Sequence, residues 1–286
     1  MSKSLVKHHT RSIGGNGVVT IVLFLIGLFM MLPIVYLIIT SLKPLDEIMA
    51  FPPRFFVKRV TLKNYFQLPK LLSNLQVPFS RYLFNSVVVS AITTVLHIYV
   101  ATSAAFVLSK YRNRAVNILF NVVVFSLLFN GYTLAIPQYF IFAKLNILNT
   151  YLVYILPYLP SSLGVFLVKQ YMDASLPNTL IEAARIDGAN SFRIYKDIAL
   201  PAVKPALLTL VLFSFQNIWS QSSGATVFDE EIKLFPDTLS QIANAGIART
   251  GNTMAATVLM MIPPITVYLI TQSNVIETMS SSGIKG

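Results

Sequence analysis

Six stretches of the chain run for 24 residues or more without an Asp, Glu, Lys or Arg: 12–42, 82–109, 115–143, 145–168, 205–228 and 250–276. The next longest, 238–248, has 11 residues. A bilayer crossing takes about 20 mostly apolar residues in a helix, so this gap separates six candidate spans from ordinary loops. Lipid cannot satisfy free backbone groups, which leaves helices or closed barrels. Barrel strands would show alternation over about 10 residues, and these stretches are continuous. Charged residues are 12% of the chain, half of the roughly 25% that covers a soluble domain. Disordered chains are apolar-poor and charge-rich, which the 55% hydrophobic content excludes. A disulfide scaffold is excluded by the absence of cysteine. The net charge of +11 suits an anionic membrane surface as well as nucleic acid, and the apolar content decides for membrane. The expected fold class is an all-α integral membrane protein with six transmembrane helices, near 17–41, 84–109, 116–140, 150–171, 204–222 and 253–273.

The first stretch follows Lys3, Lys7 and Arg11, as a signal peptide would. Its apolar core far exceeds the 7–15 residues of a signal h-region, so it reads as an uncleaved first helix. Six crossings put both termini on one side. Lys and Arg number twelve on the side of the termini and ten on the other. Short loops near helix ends set orientation, and here Lys110-Tyr-Arg-Asn-Arg114 and the N-terminal tail put the termini inside. The basic segment 43–81 opposes this but is long, and Phe51-Pro-Pro-Arg-Phe-Phe56 suits a small external cap. Prolines 33, 137, 157, 160, 263 and 264 lie within spans and read first as bent packing. His97 lies within the second span, either as a functional group or as a neutral imidazole bonded to a neighbouring helix. His8 and His9 read as ordinary tail residues.

The densest mixed-charge segment lies between the fourth and fifth spans, at 172–205. Thr179 stands three residues before Glu182, a capping-box spacing. A short helix would run through Glu182-Ala-Ala-Arg185-Ile-Asp187 to Gly188, which suits a C′ position with positive φ. Asn190 or Ser191 can cap a second short helix. On it Phe192, Tyr195 and Ile198 would share one face until Pro201 stops it. This is a helix-turn-helix knuckle. Spacing alone leaves it either a solvated connection or a rigid docking surface.

The segment resembles the signature of the inner-membrane permeases of binding-protein-dependent ABC importers. That signature reads Glu-Ala-Ala, three residues, Gly, nine residues, Ile, one residue, Leu-Pro. Here Glu182-Ala183-Ala184, Gly188, Ile198 and Leu200-Pro201 match every spacing. Ala184-Arg185-Ile186-Asp187-Gly188-Ala189 is similar to the carbohydrate, maltose-type branch. Ser41-Leu42-Lys43-Pro44, Thr61-Leu62-Lys63-Asn64-Tyr65, Asn85-Ser86 and the ending Ser282-Gly283-Ile284-Lys285-Gly286 also look like family features. Two departures bear on the sugar subclass. Trp219 is followed by Ser220 where the family often has Asn, and Gln272-Ser-Asn-Val-Ile-Glu277 is not aromatic-rich.

The resemblance implies a cytoplasmic tail at 1–16, a permease domain at 17–274 and a cytoplasmic tail at 275–286. Within the domain it implies an external cap at 43–83 and a cytoplasmic coupling segment at 174–203. It implies a bacterial or archaeal cell membrane location and a hetero-assembly. The partners would be a second permease subunit, two ATP-binding cassette subunits and an extracytoplasmic solute-binding protein. The chain has no Gly-x-x-x-x-Gly-Lys-Ser/Thr loop, so ATP and Mg²⁺ would sit on the partner ATPases and this chain would bind no cofactor or metal. The coupling residues carried over are Glu182, Ala183, Ala184, Asp187, Gly188, Phe192, Tyr195, Ile198, Leu200 and Pro201. Glu182 would cap its helix or pair with the ATPase. Asp187 would cap the turn or pair with Arg193. The aromatic and aliphatic residues would anchor the knuckle. The C-terminal tail would lie against the ATPases or fray.

Polar and aromatic candidates for a sugar path within spans are Asn130, Tyr132, Gln138, Tyr139, Gln216, Asn217 and Trp219, each also a candidate for helix–helix bonding. A close alternative to sugar is a peptide, amino acid or polyol phosphate. A membrane enzyme would need clustered His, Asp or Glu at membrane depth, where His97 stands without an acid. An ATP-independent carrier or channel would favour inverted repeats and intramembrane charge, which the sequence does not show.

Overall fold

The computed structural model describes residues 13–71, 77–111, 113–129 and 131–283. Every regular element described is helical. In order they are α1 Ile13–Ser41, α2 Leu45–Ile48, α3 Lys63–Leu71, α4 Phe79–Lys110, α5 Arg114–Ser126, α6 Gly131–Lys144, α7 Leu152–Ile155, α8 Ser162–Ser175, α9 Asn178–Ile186, α10 Ser191–Arg193, α11 Leu200–Ala202, α12 Lys204–Trp219, α13 Phe235–Asn244 and α14 Thr250–Gly283. Among the described residues four helical segments are long and apolar enough to cross a membrane: Gly17–Ser41, Phe79–Lys110, Leu152–Ser175 and Ile247–Gln272. A fifth exists if Ser191–Ala202 and Lys204–Trp219, bent by 80°, count as one span.

The expected single helix over 116–140 is instead two shorter helices, α5 and α6, separated at Leu127–Phe129. The Ser126 hydroxyl donates back to the Val123 carbonyl at 2.6 Å, and Gly131 opens the second helix. The expected fifth span, 204–222, stops at Trp219. Its 16 residues rise about 24 Å at 1.5 Å each, short of the roughly 30 Å hydrocarbon core. The expected fourth span, 150–171, is interrupted at Leu156–Tyr158 by a 3₁₀ turn containing Pro157.

The fold divides into two compact units. The first comprises the described residues up to Gln67 together with Gly246–Val258. Its organiser is a buried amide. Asn64 Nδ2 donates to the carbonyls of Ser41 and Lys43, both at 2.8 Å. Asn252 Nδ2 in turn donates to the Asn64 carbonyl at 2.9 Å. Ser41 Oγ and the Tyr65 hydroxyl share a bond of 2.8 Å, and Lys43, itself buried, donates to the Arg54 carbonyl. These contacts staple the end of α1 to α3, so the Ser41–Pro44 and Thr61–Tyr65 motifs are two halves of one joint. Gly251 must be small, because a Cβ there would lie 2.8 Å from the Asn64 amide. Residues 17–34 of α1 are exposed along their apolar length, as a lipid-exposed or partner-covered helix is.

The second unit comprises the described residues from Leu68 to Ala245 and from Leu259 onward. Here α4 packs along α8 and α12. Ala101 and Ala105 on α4 are fully buried against Val165, Val168 and Met172 of α8 and Leu210 of α12. Small residues let helices approach closely, which is how helices associate in lipid, where there is little hydrophobic drive. At the end near α13, Asn85 Nδ2 donates to the Glu231 and Lys233 carbonyls at 2.7 and 3.1 Å. Ser86 Oγ accepts from the Phe235 amide at 2.7 Å. The Asn85-Ser86 pair thus ties α4 to the loop leading into α13.

Removing a buried donor orphans two carbonyls, at about 1–3 kcal/mol each. Asn64→Leu and Gly251→Val are therefore expected to lower the thermal midpoint of the purified chain and its yield in membranes. Unchanged midpoints in both variants would show that the joint is not structural.

Candidate functional site

The knuckle is built from α9, a turn, α10 and a π-helical segment, Ile194–Ala199. Pro177, extended at φ −64° and ψ 144°, starts α9. That places Thr179 already inside the first turn, so the Thr179–Glu182 capping box does not form and no side chain caps this helix. Asp187 is the C-cap residue. Gly188 follows at φ +81°, with nothing within 4 Å of a would-be Cβ. Backbone conformation, and not crowding, calls for glycine here; another L-residue would cost roughly 1–2 kcal/mol. Asn190 caps the next turn, its Oδ1 accepting from the Arg193 amide at 2.8 Å. Arg193 pairs with Asp197 across one turn, at 3.6 Å, and not with Asp187.

The two sides of the knuckle differ. Ile181 and Ile194, with Tyr195 and Ala199, are buried in the same core as Ala101, Ala105, Val168 and Met172. The Tyr195 hydroxyl bonds Thr102 Oγ1 at 2.7 Å in the interior, and its ring packs against Phe106 at 5.5 Å. Ile198 and Leu200 pack at the edge of this core. On the other side Glu182, Ala183, Arg185, Asp187 and Gly188 are exposed, Ile186 is 87% exposed and Phe192 65%. Phe192 and Tyr195 therefore do not share a face as the 3.6-residue period expects. The wider π turn rotates Tyr195 inward. Sequence reasoning did not single out Ile181 or Ile186; Ile181 stands one residue before the signature glutamate, and its burial depends on α4 and α8.

The exit from the knuckle is a sharp bend. Val203 lies between Pro201 and Pro205, and the flanking helices meet at 80°. Neither proline has an N–H to carry the helix through. The knuckle therefore runs across the end of the bundle and α12 turns into it.

The candidate solute residues separate. Asn130 lies outside the described residues, and so does the side chain of Tyr132. Tyr139, Gln216 and Asn217 are exposed and Gln138 is half-buried. Trp219 is 2% exposed; its Nε1 donates to the Met260 carbonyl at 2.9 Å and its ring stacks on Phe215. It is a packing residue in this conformation. Asn217 lines a cavity of about 210 Å³ together with His97, Tyr158, Gly164 and Ser214. His97 Nδ1 lies 2.7 Å from the Tyr158 carbonyl. A carbonyl can only accept, so Nδ1 donates, to a carbonyl freed where the chain breaks before α8. This is the reading in which His97 bonds a neighbouring helical turn. Gly164 leaves room for its ring: a Cβ there would lie 2.9 Å from Nε2.

Residues 164–280 match the family described as "binding-protein-dependent transport system inner membrane component". The sn-glycerol-3-phosphate transport system permease protein of Yersinia enterocolitica is 32% identical over 205 residues, covering 70% of this chain and 73% of that protein. The arabinooligosaccharides transport system permease protein of Bacillus subtilis is 26% identical, covering 93% and 95%. The crystal structure of a bacterial ABC transporter that imports the acidic polysaccharide alginate contains a similar chain. It has a TM-score of 0.76 and 22% identity over 93% of this chain and 98% of that one, a likeness of fold. The chain belongs to the binding-protein-dependent transport system inner membrane component family: it is a multi-pass inner-membrane permease subunit of an ABC importer, the transport component and not the ATP-hydrolysing one.

Proposed function

We propose that this permease couples closure of partner ATPases to alternating access through the knuckle at 174–203, for a sugar or oligosaccharide. The observation that carries the reading is the two-sidedness of the knuckle. Its inner face is continuous with the bundle core through Ile181, Ile194 and Tyr195. Its outer face presents Ile186 and Phe192 to solvent around the Gly188 turn. An element so built can move only with the helices it is packed into, which is what rigid-body gating requires. Glu182, Ala183 and Asp187 ring the outer contact, Ala184 packs against the inner core, and Leu200 and Pro201 set the exit into α12.

In this reading the chain crosses the membrane six times, α5 and α6 together making the third crossing. Both termini are cytoplasmic, with tails at 1–16 and 275–286, and 43–83 forms an external cap. The assembly is this chain, a second permease, two ATPases that hold ATP and Mg²⁺, and a solute-binding protein outside. Of the solute-path candidates, Gln138, Tyr139, Gln216 and Asn217 have side chains open to a solute, and Asn130 and Tyr132 stay in the proposed path beside them. Sugar is favoured by the names of relatives, which include permeases for arabinooligosaccharides and sulfoquinovosyl glycerol. The 32% identical glycerol-3-phosphate relative supports the second reading, a polyol phosphate. Screening the co-encoded binding protein by calorimetry against arabino-oligosaccharides and sn-glycerol 3-phosphate separates them. Saccharide binding is expected; binding of the phosphate alone overturns the sugar assignment.

Gly188→Asp and Gly188→Val are expected to insert normally and to abolish solute-driven ATP turnover in the reconstituted transporter. Normal turnover in both would sink the coupling role. Ile186→Asp is expected to leave the thermal midpoint unchanged and lose the co-purifying ATPases. Ile181→Asp, which buries a carboxylate beside α4 and α8, is expected to lower the midpoint itself. If both variants behaved alike, the knuckle would not be two-sided.

A further inference from the structure

The first unit carries an aromatic loop that turns back along the span it follows. Phe51-Pro-Pro-Arg54-Phe-Phe56 lies beyond the end of α1 in sequence, yet the Phe55 ring sits 5.6 Å from the ring of Tyr36. Tyr36 belongs to the span-length segment Gly17–Ser41. The 25 residues of that segment rise about 37 Å at 1.5 Å each, against a hydrocarbon core of about 30 Å. Centred on the bilayer, the segment ends among the headgroups, and Tyr36, about 7.5 Å before that end, stands just within the acyl boundary. A ring packed on Tyr36 is held near that depth.

The loop is fastened from within. Lys43 Nζ donates to the Arg54 carbonyl and lies 5.6 Å from the centre of the Tyr36 ring. The Glu47 carboxylate accepts from the Lys58 and Arg59 amides at 2.9 and 2.8 Å, and Asp46 pairs with Arg59. The Thr61 amide donates to the Leu42 carbonyl at 2.9 Å. These bonds hold the backbone and leave the largest apolar side chains outside it: Phe51 is 94% exposed and Phe56 73%. Arg54 and Lys58, on either side of Phe55-Phe56, are exposed too. Aromatic rings with cations beside them, level with the end of a span, are the composition of an interfacial segment. The rings enter the acyl boundary, and the long basic side chains reach back to the phosphates. A protein partner covers side chains at any height. The contact with Tyr36 puts these at the height of lipid headgroups, and α1 beneath them is exposed along residues 17–34, so they extend the surface of a span.

We propose that the loop 51–56 is a membrane anchor: Phe51 and Phe56 insert at the interface of a glycerophospholipid bilayer, with Arg54 and Lys58 on its phosphates. Seated there, the loop fixes how deep α1 sits and holds the Asn64 joint at the bilayer surface. Assigning it to the outer leaflet rests on the six-crossing reading above; the insertion does not.

The chain has no cysteine, so a nitroxide can be placed at Phe51→Cys or Phe56→Cys in the full transporter, reconstituted with its co-purifying partners in vesicles of phosphatidylglycerol and phosphatidylcholine. Relaxation by oxygen, which concentrates in lipid, is compared with relaxation by a water-soluble nickel chelate. The chelate is supplied on both sides of the vesicles, so the result does not depend on which leaflet the loop meets. Phosphatidylcholine spin-labelled near the glycerol is the interfacial reference, and free spin-labelled cysteine is the aqueous one. At both positions oxygen is expected to outweigh nickel, as in the labelled lipid, with loss of the nickel access seen in water. Nickel access equal to the aqueous reference overturns the proposal, since the rings would then stand in water. Low access to both reagents overturns it as well, since a protein surface would then cover the loop. Phe56→Trp keeps an aromatic ring and keeps the test open if the cysteine variants fail to fold. Its emission is expected to be quenched by phosphatidylcholine brominated near the glycerol, beyond the quenching of the unaltered chain, whose one tryptophan, Trp219, is buried. Emission that bromination leaves unchanged overturns the anchor.

Discussion

A segment outside the membrane can move helices inside it only if it is held as firmly as the helices hold each other. In the coupling proposed for this chain that requirement falls on a few side chains. Ile181 and Ile194 are almost wholly buried, and the Tyr195 hydroxyl reaches Thr102, two turns inside the end of α4. The core formed by Ala101, Ala105, Val168 and Met172 therefore does not end with α4 and α8. It continues into the knuckle. The π turn at Ile194–Ala199 is what allows this, since it turns Tyr195 inward while Phe192 stays outside. Single π turns occur often at functional sites, and here the turn divides a buried face from an exposed one.

The same economy appears in the first unit, where one residue, Asn64, ties together segments more than 20 residues apart through its side-chain amide and a third from far along the chain through its backbone carbonyl. Buried polar groups are high-stakes in a low-dielectric interior. With both N–H groups of Asn64 donating to carbonyls, the joint specifies one arrangement. Along α4, by contrast, helix contact relies on small residues. Alanines face α8, and Gly164 of α8 accommodates the His97 ring.

What was legible in the sequence was local. Charge-free stretches located α1, α4, the α7–α8 span and α14, because the cost of a charge in lipid acts residue by residue. The Gly188 turn and the Asn190 cap were legible for the same reason, since each depends on neighbours within three residues. Matters set by distant packing were not. The split of the third stretch into α5 and α6, the inward turn of Tyr195 and the burial of Ile181 depend on what α4 and α8 present. Thr179 looked like a cap from its spacing to Glu182, but Pro177 starts the helix two residues earlier. Trp219 stood open in the sequence as a solute contact or a helix–helix bond; its N–H is taken by Met260, a partner 41 residues away.

The chain has no cysteine, so single cysteines can report directly on the two faces. The decisive measurement is the rate of labelling by a water-soluble maleimide at Ile186→Cys and at Ala199→Cys, with and without the co-purified ATPases. The account predicts rapid labelling at position 186 in the permease alone and strong protection when the ATPases are bound, with position 199 unlabelled in both. Equal labelling at position 186 with and without the ATPases would contradict it, because the exposed face of the knuckle would then not be where the ATPases engage.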